Sequence, residues 1–214
     1  MKKQVIPTVF ARSKKEFDDK FGKLLKITKN IQIDFMDGVF VEEKSMGLDD
    51  IPSLKGKGIF EAHLMVENPE AYIHRLKAKG FKKVLFHYES YNNFDRVQRL
   101  VTNIRFLGME PFVVFNPKTS FDRVAQLSYL VKGVMFMGVN PGRENQKMNP
   151  NVCRRISNLR MINKKIIIQV DGGVNDKTVK DLAEAGADIV NSGSFVVNSR
   201  DPKKALGILE KNFK

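Results

Sequence analysis

The segment IQIDFMDGVF (31–40) ends an apolar run with two carboxylates, Asp34 and Asp37, and carries Gln32 just ahead of the first. Side chains of a strand alternate between its faces, so Gln32, Asp34 and Met36 share one side while Ile31, Ile33 and Phe35 share the other. The same parity groups Glu61, His63 and Met65 in IFEAHLMV, and Gln169 with Asp171 just before Gly172-Gly173. It also groups Met135 with Met137 in GVMFMGV. If those faces converge, Asp34, His63 and Asp171 meet at one place. Two carboxylates across a pocket suit removal of a proton from one side of a carbon and its return on the other. A carbon acid beside a carbonyl also needs its enolate oxygen stabilised by fixed donors or a metal ion. An Asp, Asp, His set is compatible with a divalent ion. Singly, each residue has a plainer reading: a lone buried histidine is more often a hydrogen-bonded core residue, and an aspartate at a strand end a turn former. Their coincidence at three strand ends argues for a site.

The elements that must position them follow from the hydrophobic pattern. Apolar and β-branched runs recur at 4–10, 31–36, 59–66, 83–89, 111–116, 133–139, 165–170 and 188–195, the last short and interrupted by glycine. Between them lie segments of helical spacing. SKKEFDDKFGKLLKI places Phe17, Phe21, Leu24 and Leu25 on one stripe. NPEAYIHRLKAKG opens on Asn68-Pro69 and closes on Gly80. Segment 41–58 is the least regular, with a short helix expected near Leu48–Leu54. Eight strands alternating with helices imply parallel strands and crossover connections, and the 214 residues suffice for a single-domain α/β chain, a (β/α)8 TIM barrel spanning 1–214. The competing architecture, an open doubly wound sheet, lacks its GxGxxG after the first strand. In a barrel, chemistry gathers at the C-terminal ends of strands, where Asp34, His63 and Asp171 fall.

Composition narrows the partners. The 37 Lys+Arg against 24 Asp+Glu give a formal charge of +13. Such a balance suits nucleic acid, an anionic membrane or an anionic small substrate. The lysines are scattered through every expected helix, and no recognition-helix, zinc-finger or RNP pattern accompanies them, so no nucleic-acid partner is expected. No apolar run is long enough for a membrane span or signal peptide, so no membrane partner is expected. Cys153 is the single cysteine and reads as a buried helix residue; its isolation fits a reducing cytoplasm. Lys2, Lys3, Lys14 and Lys15 are read as solvated, and His74 as a surface residue. His87 either lines the pocket or hydrogen-bonds beneath a loop. Lys118, after FNP, sits at a strand top from which it could steer phosphate, and is set aside as a site residue.

The ordered strings IDFMDGVFV, AHLMVENPEAYI, FNPKT, MGVNPG, VDGGV and EAGADIVNSGS resemble the signatures of the ribulose-phosphate 3-epimerase family, from Pro7 to Pro202. The resemblance implies a barrel that interconverts D-ribulose 5-phosphate and D-xylulose 5-phosphate at C3 through an enediolate, an isomerase of the pentose phosphate pathway. It implies Asp34 and Asp171 as acid and base on opposite faces of the sugar. It also implies one divalent metal ion (Mg, Mn, Zn or Fe) held by Asp34, His63, Asp171 and Gln32, the last at the place of the family's second histidine. Met36, Met65 and Met137 are implied as a soft wall. Gly172, Gly173, Gly193 and Ser194 are implied as the phosphate loops, with Gly142 opening a loop that closes over the sugar phosphate. Barrels of this type often form homo-oligomers.

Four departures lie near that site. Gln32 offers an amide oxygen in place of imidazole, a poorer ligand that suits Mg²⁺ or Mn²⁺ better than Zn²⁺ or Fe²⁺. Ala11 stands where the family has a substrate-contacting serine. Glu42-Glu43 replaces Pro-Asn, and the mobile loop reads PGRENQKM with Arg143, Glu144 and Asn145. Two rival readings follow from them: an epimerase for a related ketose phosphate, and a sugar-phosphate-binding barrel that has lost metal and catalysis.

Overall fold

The computed structural model describes residues 3–142 and 146–214; the expectations placed on Lys2, Arg143, Glu144 and Asn145 lie outside them. In chain order the elements are β1 (Gln4–Val9), α1 (Lys14–Leu25), β2 (Asn30–Met36), β3 (Ile59–Met65), α2 (Ile73–Lys79), β4 (Lys83–His87), α3 (Phe94–Phe106) and β5 (Glu110–Phe115). They continue with α4 (Phe121–Ser128), β6 (Gly133–Met137), α5 (Asn151–Ile162), β7 (Ile167–Asp171), α6 (Val179–Ala185), β8 (Ile189–Ser192), α7 (Ser194–Val197) and α8 (Pro202–Asn212). The strands pair in parallel in chain order, and β8 closes on β1, giving a (β/α)8 barrel.

Local chemistry explains the boundaries. The Ser13 side chain accepts from the Glu16 N–H at 3.3 Å and starts α1, whose Phe17, Phe21 and Leu24 are buried. Asp201 caps α8 in the same way with Pro202 in its first turn, and α2 stops at Gly80, whose φ of 102° suits glycine. The expected run 188–195 divides: β8 stops at Ser192 and Gly193-Ser194 turns into α7. The helical part of residues 41–58 is a single 3-10 turn, Leu48–Asp50, instead of a helix to Leu54, and Lys44 forms an isolated antiparallel bridge with Asp37. That stretch is anchored by backbone bonds from Met46 N–H to Ala11 C=O and from Leu54 N–H to Lys79 C=O. With Met46, Leu48, Ile51 and Leu54 all buried, it needs no helix to satisfy its core side. No helix among the described residues is long and apolar enough to cross a membrane.

Two cores result from strand parity. Outward residues such as Ile31, Ile33, Phe35, Val113 and Val170 pack with the helices. Inward residues divide the barrel interior by polarity. On the side of β4 to β6 it holds Leu85, Phe112, Val114, Met135 and Met137. A Cβ at Gly133 would enter the Phe112 ring, so glycine there makes room for the ring. The opposite side is polar, with Thr8, Gln32, Glu61, Gln169 and Asn191 all buried. Burying that many polar side chains is costly unless each is hydrogen-bonded.

Candidate active site

Register sets the geometry. Asp34 pairs with His63 across β2 and β3, Met137 with Asp171 across β6 and β7, and Asp171 with Asn191 across β7 and β8. These pairings bring the acids and the imidazole to the same end of the barrel. His63 Nδ1 lies 3.1 Å from Asp34 Oδ1 and 3.5 Å from Asp171 Oδ2. The three residues offer ligand atoms all within 4.8 Å of one another. They form part of the floor of a cavity of about 710 Å³. Its wall includes Met36, Met65 and Met137, and its rim Gly142, Gly172, Gly173, Gly193 and Ser194.

The electrostatics of the floor are coupled. Burial pushes Asp34 up to about 6, the Asp171 charge adds to the rise, and the hydrogen bond and charge of His63 oppose it. Burial would drive His63 down, but its hydrogen bonds to Asp171 and Asp34 and their charges overcome it and push the imidazole up to about 9. In the metal-free protein His63 is therefore an imidazolium near neutral pH. Its second nitrogen, Nε2, lies 3.0 Å from His87 Nε2. Burial, aided by the His63 charge and opposed by Glu89, pushes His87 below the ordinary histidine value. Neutral His87 thus accepts the second proton of His63. Glu89 in turn lies 3.5 Å from His87 Nδ1 and accepts from the Asn116 N–H and the Thr119 hydroxyl.

The ribulose-phosphate 3 epimerase family model matches residues 4–197. The chain belongs to this family. Ribulose-phosphate 3-epimerase of Helicobacter pylori (strain ATCC 700392 / 26695) is 33% identical over 183 residues, covering 82% of both chains. The Oryza sativa subsp. japonica relative, described as ribulose-phosphate 3-epimerase, cytoplasmic isoform, is 33% identical over 187 residues, with 85% of this chain and 81% of that one covered. Among solved structures, 3-hexulose-6-phosphate synthase from Salmonella typhimurium superposes with a TM-score of 0.75 at 16% identity, covering 99% of this chain and 98% of that one. At that identity the likeness speaks for the fold alone.

Against the family pattern, the structure brings together Asp34, His63 and Asp171, and sets the methionines and loop glycines around them. At the end of β7, Gly172 and Gly173 have φ of 98° and 74°. Side chains there would also meet Val139 and Met148 within 3 Å, so the turn beside Asp171 requires glycine twice. Ala11 is buried just past the end of β1, where Thr8 on the strand and Phe10 and Arg12 beyond it reach the cavity. Glu43, one of the two acids replacing Pro-Asn, pairs with Arg12 at 2.9 Å on the cavity rim.

Other expectations are corrected. Gln32 does not present its oxygen to the three candidate ligands: its Nε2 lies 3.0 Å from Asp34 Oδ1 and also hydrogen-bonds Asp171 Oδ2. Of the two readings of His87 the buried, hydrogen-bonded one holds: it does not line the main cavity and its Nε2 lies 3.0 Å from His63 Nε2. Lys118 borders a separate pocket with Glu89, Asn116 and Thr119. Lys3 is not simply solvated, because its ammonium donates to the Ala183 C=O at 2.6 Å and sits over the Phe213 ring. Cys153 is only partly buried on α5. His74 is exposed, as expected, as are Lys14 and Lys15. Sequence reasoning overlooked Asn191 and Lys83. Parity with Ile189 and Gly193 marks Asn191 as inward, and parity with Leu85 and His87 does the same for Lys83.

Proposed function

We propose that this single-domain barrel is a ribulose-phosphate 3-epimerase, interconverting D-ribulose 5-phosphate and D-xylulose 5-phosphate at C3. One observation carries the reading: two aspartates share one histidine on the floor of the cavity at the C-terminal end of the barrel, in a chain of this family. The C3 proton of the ketose is acidified by the neighbouring C2 carbonyl. One carboxylate takes it, the electrons of the C–H bond pass into the carbonyl, and a 2,3-enediolate forms. The other carboxyl group, protonated, returns a proton to the opposite face of C3. An aspartate pushed up to about 6 suits this work, since it can both hold and release a proton near neutral pH. Met36, Met65 and Met137 bound the reacting carbons with surface that offers no competing proton. Backbone amides at Gly172-Gly173 and at Gly193-Ser194, where α7 begins, are suited to the phosphate, the usual place for it in barrels of this class.

Two carboxylates and an imidazole within 4.8 Å suit a divalent cation, so Asp34, His63 and Asp171 would hold it. When bound, the ion supplies positive charge beside the developing enediolate. Because a ligating nitrogen must be free of its proton and His63 holds one up to about pH 9, binding requires deprotonation. At pH 7.5, Co²⁺ binding is expected to release about one proton, and affinity to rise about tenfold per pH unit below 9. Calorimetry in buffers of differing ionisation enthalpy measures both. A flat affinity between pH 6.5 and 8.5 with no proton released removes His63 from the ligand set.

The reaction itself is tested by incubating the protein with D-ribulose 5-phosphate in D₂O and following C3 by NMR. Deuterium should enter C3 as D-xylulose 5-phosphate accumulates. Thermal stabilisation by the sugar phosphate without any exchange would instead establish a binding barrel.

A further inference from the structure

Gln32 is wholly buried, and it lies beneath the three candidate ligands rather than on the cavity wall. We infer that Gln32 is a positioning residue that donates its amide to both catalytic carboxylates, and that a relay of buried amides beginning at Lys83 keeps its oxygen off the ion. The catalytic half of this inference rests on the epimerase reading; the half concerning the ion does not.

The relay has a polarity that both of its ends impose. An ammonium can only donate, and Lys83 Nζ lies 3.3 Å from Gln169 Oε1 and 2.8 Å from Glu61 Oε2. Gln169 must therefore turn its oxygen to Lys83. Its NH₂ then donates to Asn191 Oδ1 at 2.7 Å and Glu61 Oε1 at 2.6 Å. With its oxygen occupied, Asn191 turns its own NH₂ to Gln32 Oε1 at 2.9 Å and Glu61 Oε1 at 3.0 Å. That consumes the Gln32 oxygen and leaves its NH₂ facing Asp34 and Asp171. From the other end, a carboxylate that carries no proton can only accept, so each aspartate demands the same orientation whenever it is ionised.

Reversing Gln32 to bring its oxygen toward an ion on Asp34, His63 and Asp171 would place that oxygen against two carboxylates. It would also set NH₂ against NH₂ at Asn191. Gln32 is wholly buried and Asn191 nearly so, so the clash of NH₂ against NH₂ between them is poorly relieved by water, whereas the aspartates border the cavity. Gln32 thus occupies a metal-ligand place while doing different work. It ties together two like charges from below, as His63 ties them from the side.

Gln32→Met deletes the donors and the oxygen while keeping an unbranched stem. Titration with Co²⁺, followed by its visible spectrum, should give an affinity within about threefold of the unaltered protein. Turnover should fall about 10²-fold with KM little changed, since the loss is in holding the acids and not in binding the sugar. A Co²⁺ affinity tenfold or more weaker, with an altered spectrum, would show ligation and overturn the inference. Asn191→Leu gives a second arm, leaving Gln32 in place but freeing its oxygen. It should lower kcat about tenfold without weakening Co²⁺ binding; an unaltered kcat counts against the relay. The Gln32 side-chain amide protons should exchange slowly in the metal-free protein and fast in Asn191→Leu. Fast exchange before any substitution overturns the inference even if the protein neither binds Co²⁺ nor turns over. Absence of C3 exchange in the unaltered protein defeats the epimerase reading alone, and the cobalt and amide-exchange arms still decide Gln32.

Discussion

Asp171→Asn lowers epimerisation at C3 by about 10³-fold or more while leaving the barrel folded. The substitution is isosteric, and its amide oxygen can still accept from Gln32 Nε2 or face His63. What it cannot do is take or give a proton near neutral pH. Asp34→Asn has a loss of the same order, because inversion needs both groups: one to remove the proton and one to replace it from the other side. The double variant should be little worse than either single one, since the two act as a unit. A finer signature separates this arrangement from one with a single shared base. Each single variant keeps one competent carboxyl, which can remove and return a proton on its own face. Slow deuterium wash-in should survive with one epimer in Asp34→Asn and with the other in Asp171→Asn, with no inversion in either. NMR of each epimer in D₂O reads this directly. If either variant epimerises at a tenth of the original rate, the two aspartates are not the acid and base.

The parts of this site that were legible in the sequence depend on parity, and the parts that were not depend on partners distant in the chain. Asp34, His63 and Asp171 could be placed together because each stands an even number of residues from inward neighbours on a recognisable strand. The barrel was legible for the same reason: eight apolar runs alternate with amphipathic helical segments, and closure follows from their parallel order. The direction of the Gln32 amide was out of reach. It is decided by Asn191, Gln169 and Lys83, which lie 51 to 159 residues away and meet only inside the closed barrel. A primary-structure reading can assign Gln32 the role of the residue it replaces, but not the orientation its neighbours impose. Lys3 was misjudged in a related way, since the Ala183 carbonyl that receives its ammonium belongs to a helix near the other end of the chain. The end of β8 was missed for a local reason. Gly193 and Ser194 continue an apolar run in composition while the backbone turns there into α7.

Lys83→Met should destabilise the fold by about 3–5 kcal/mol, the second largest effect expected of a single substitution here. Lys83 and Glu61 retain only 11% and 4% of their side-chain exposure and sit 2.8 Å apart inside the barrel. Removing the ammonium leaves a carboxylate far from water, the case in which breaking a buried pair costs much more than the pair contributes. Methionine fills similar volume, so the loss is electrostatic and not a cavity. Lys83 also lies 4.3 Å from the Phe112 ring centroid, an attraction methionine only partly replaces. Glu61 still accepts from Gln169 and Asn191 through its other oxygen, which places the cost nearer 3 than 5. For a chain of this size that corresponds to a fall in Tm of roughly 6–12 °C. The double variant Lys83→Met with Glu61→Leu should recover much of the loss, because it removes the stranded charge along with its partner. Urea titration of the four proteins closes the cycle. A Tm within 2 °C of the original in Lys83→Met would mean that the ion pair does not anchor the polar half of the barrel. The orientation of Gln32 would then have to be fixed from the carboxylate end alone.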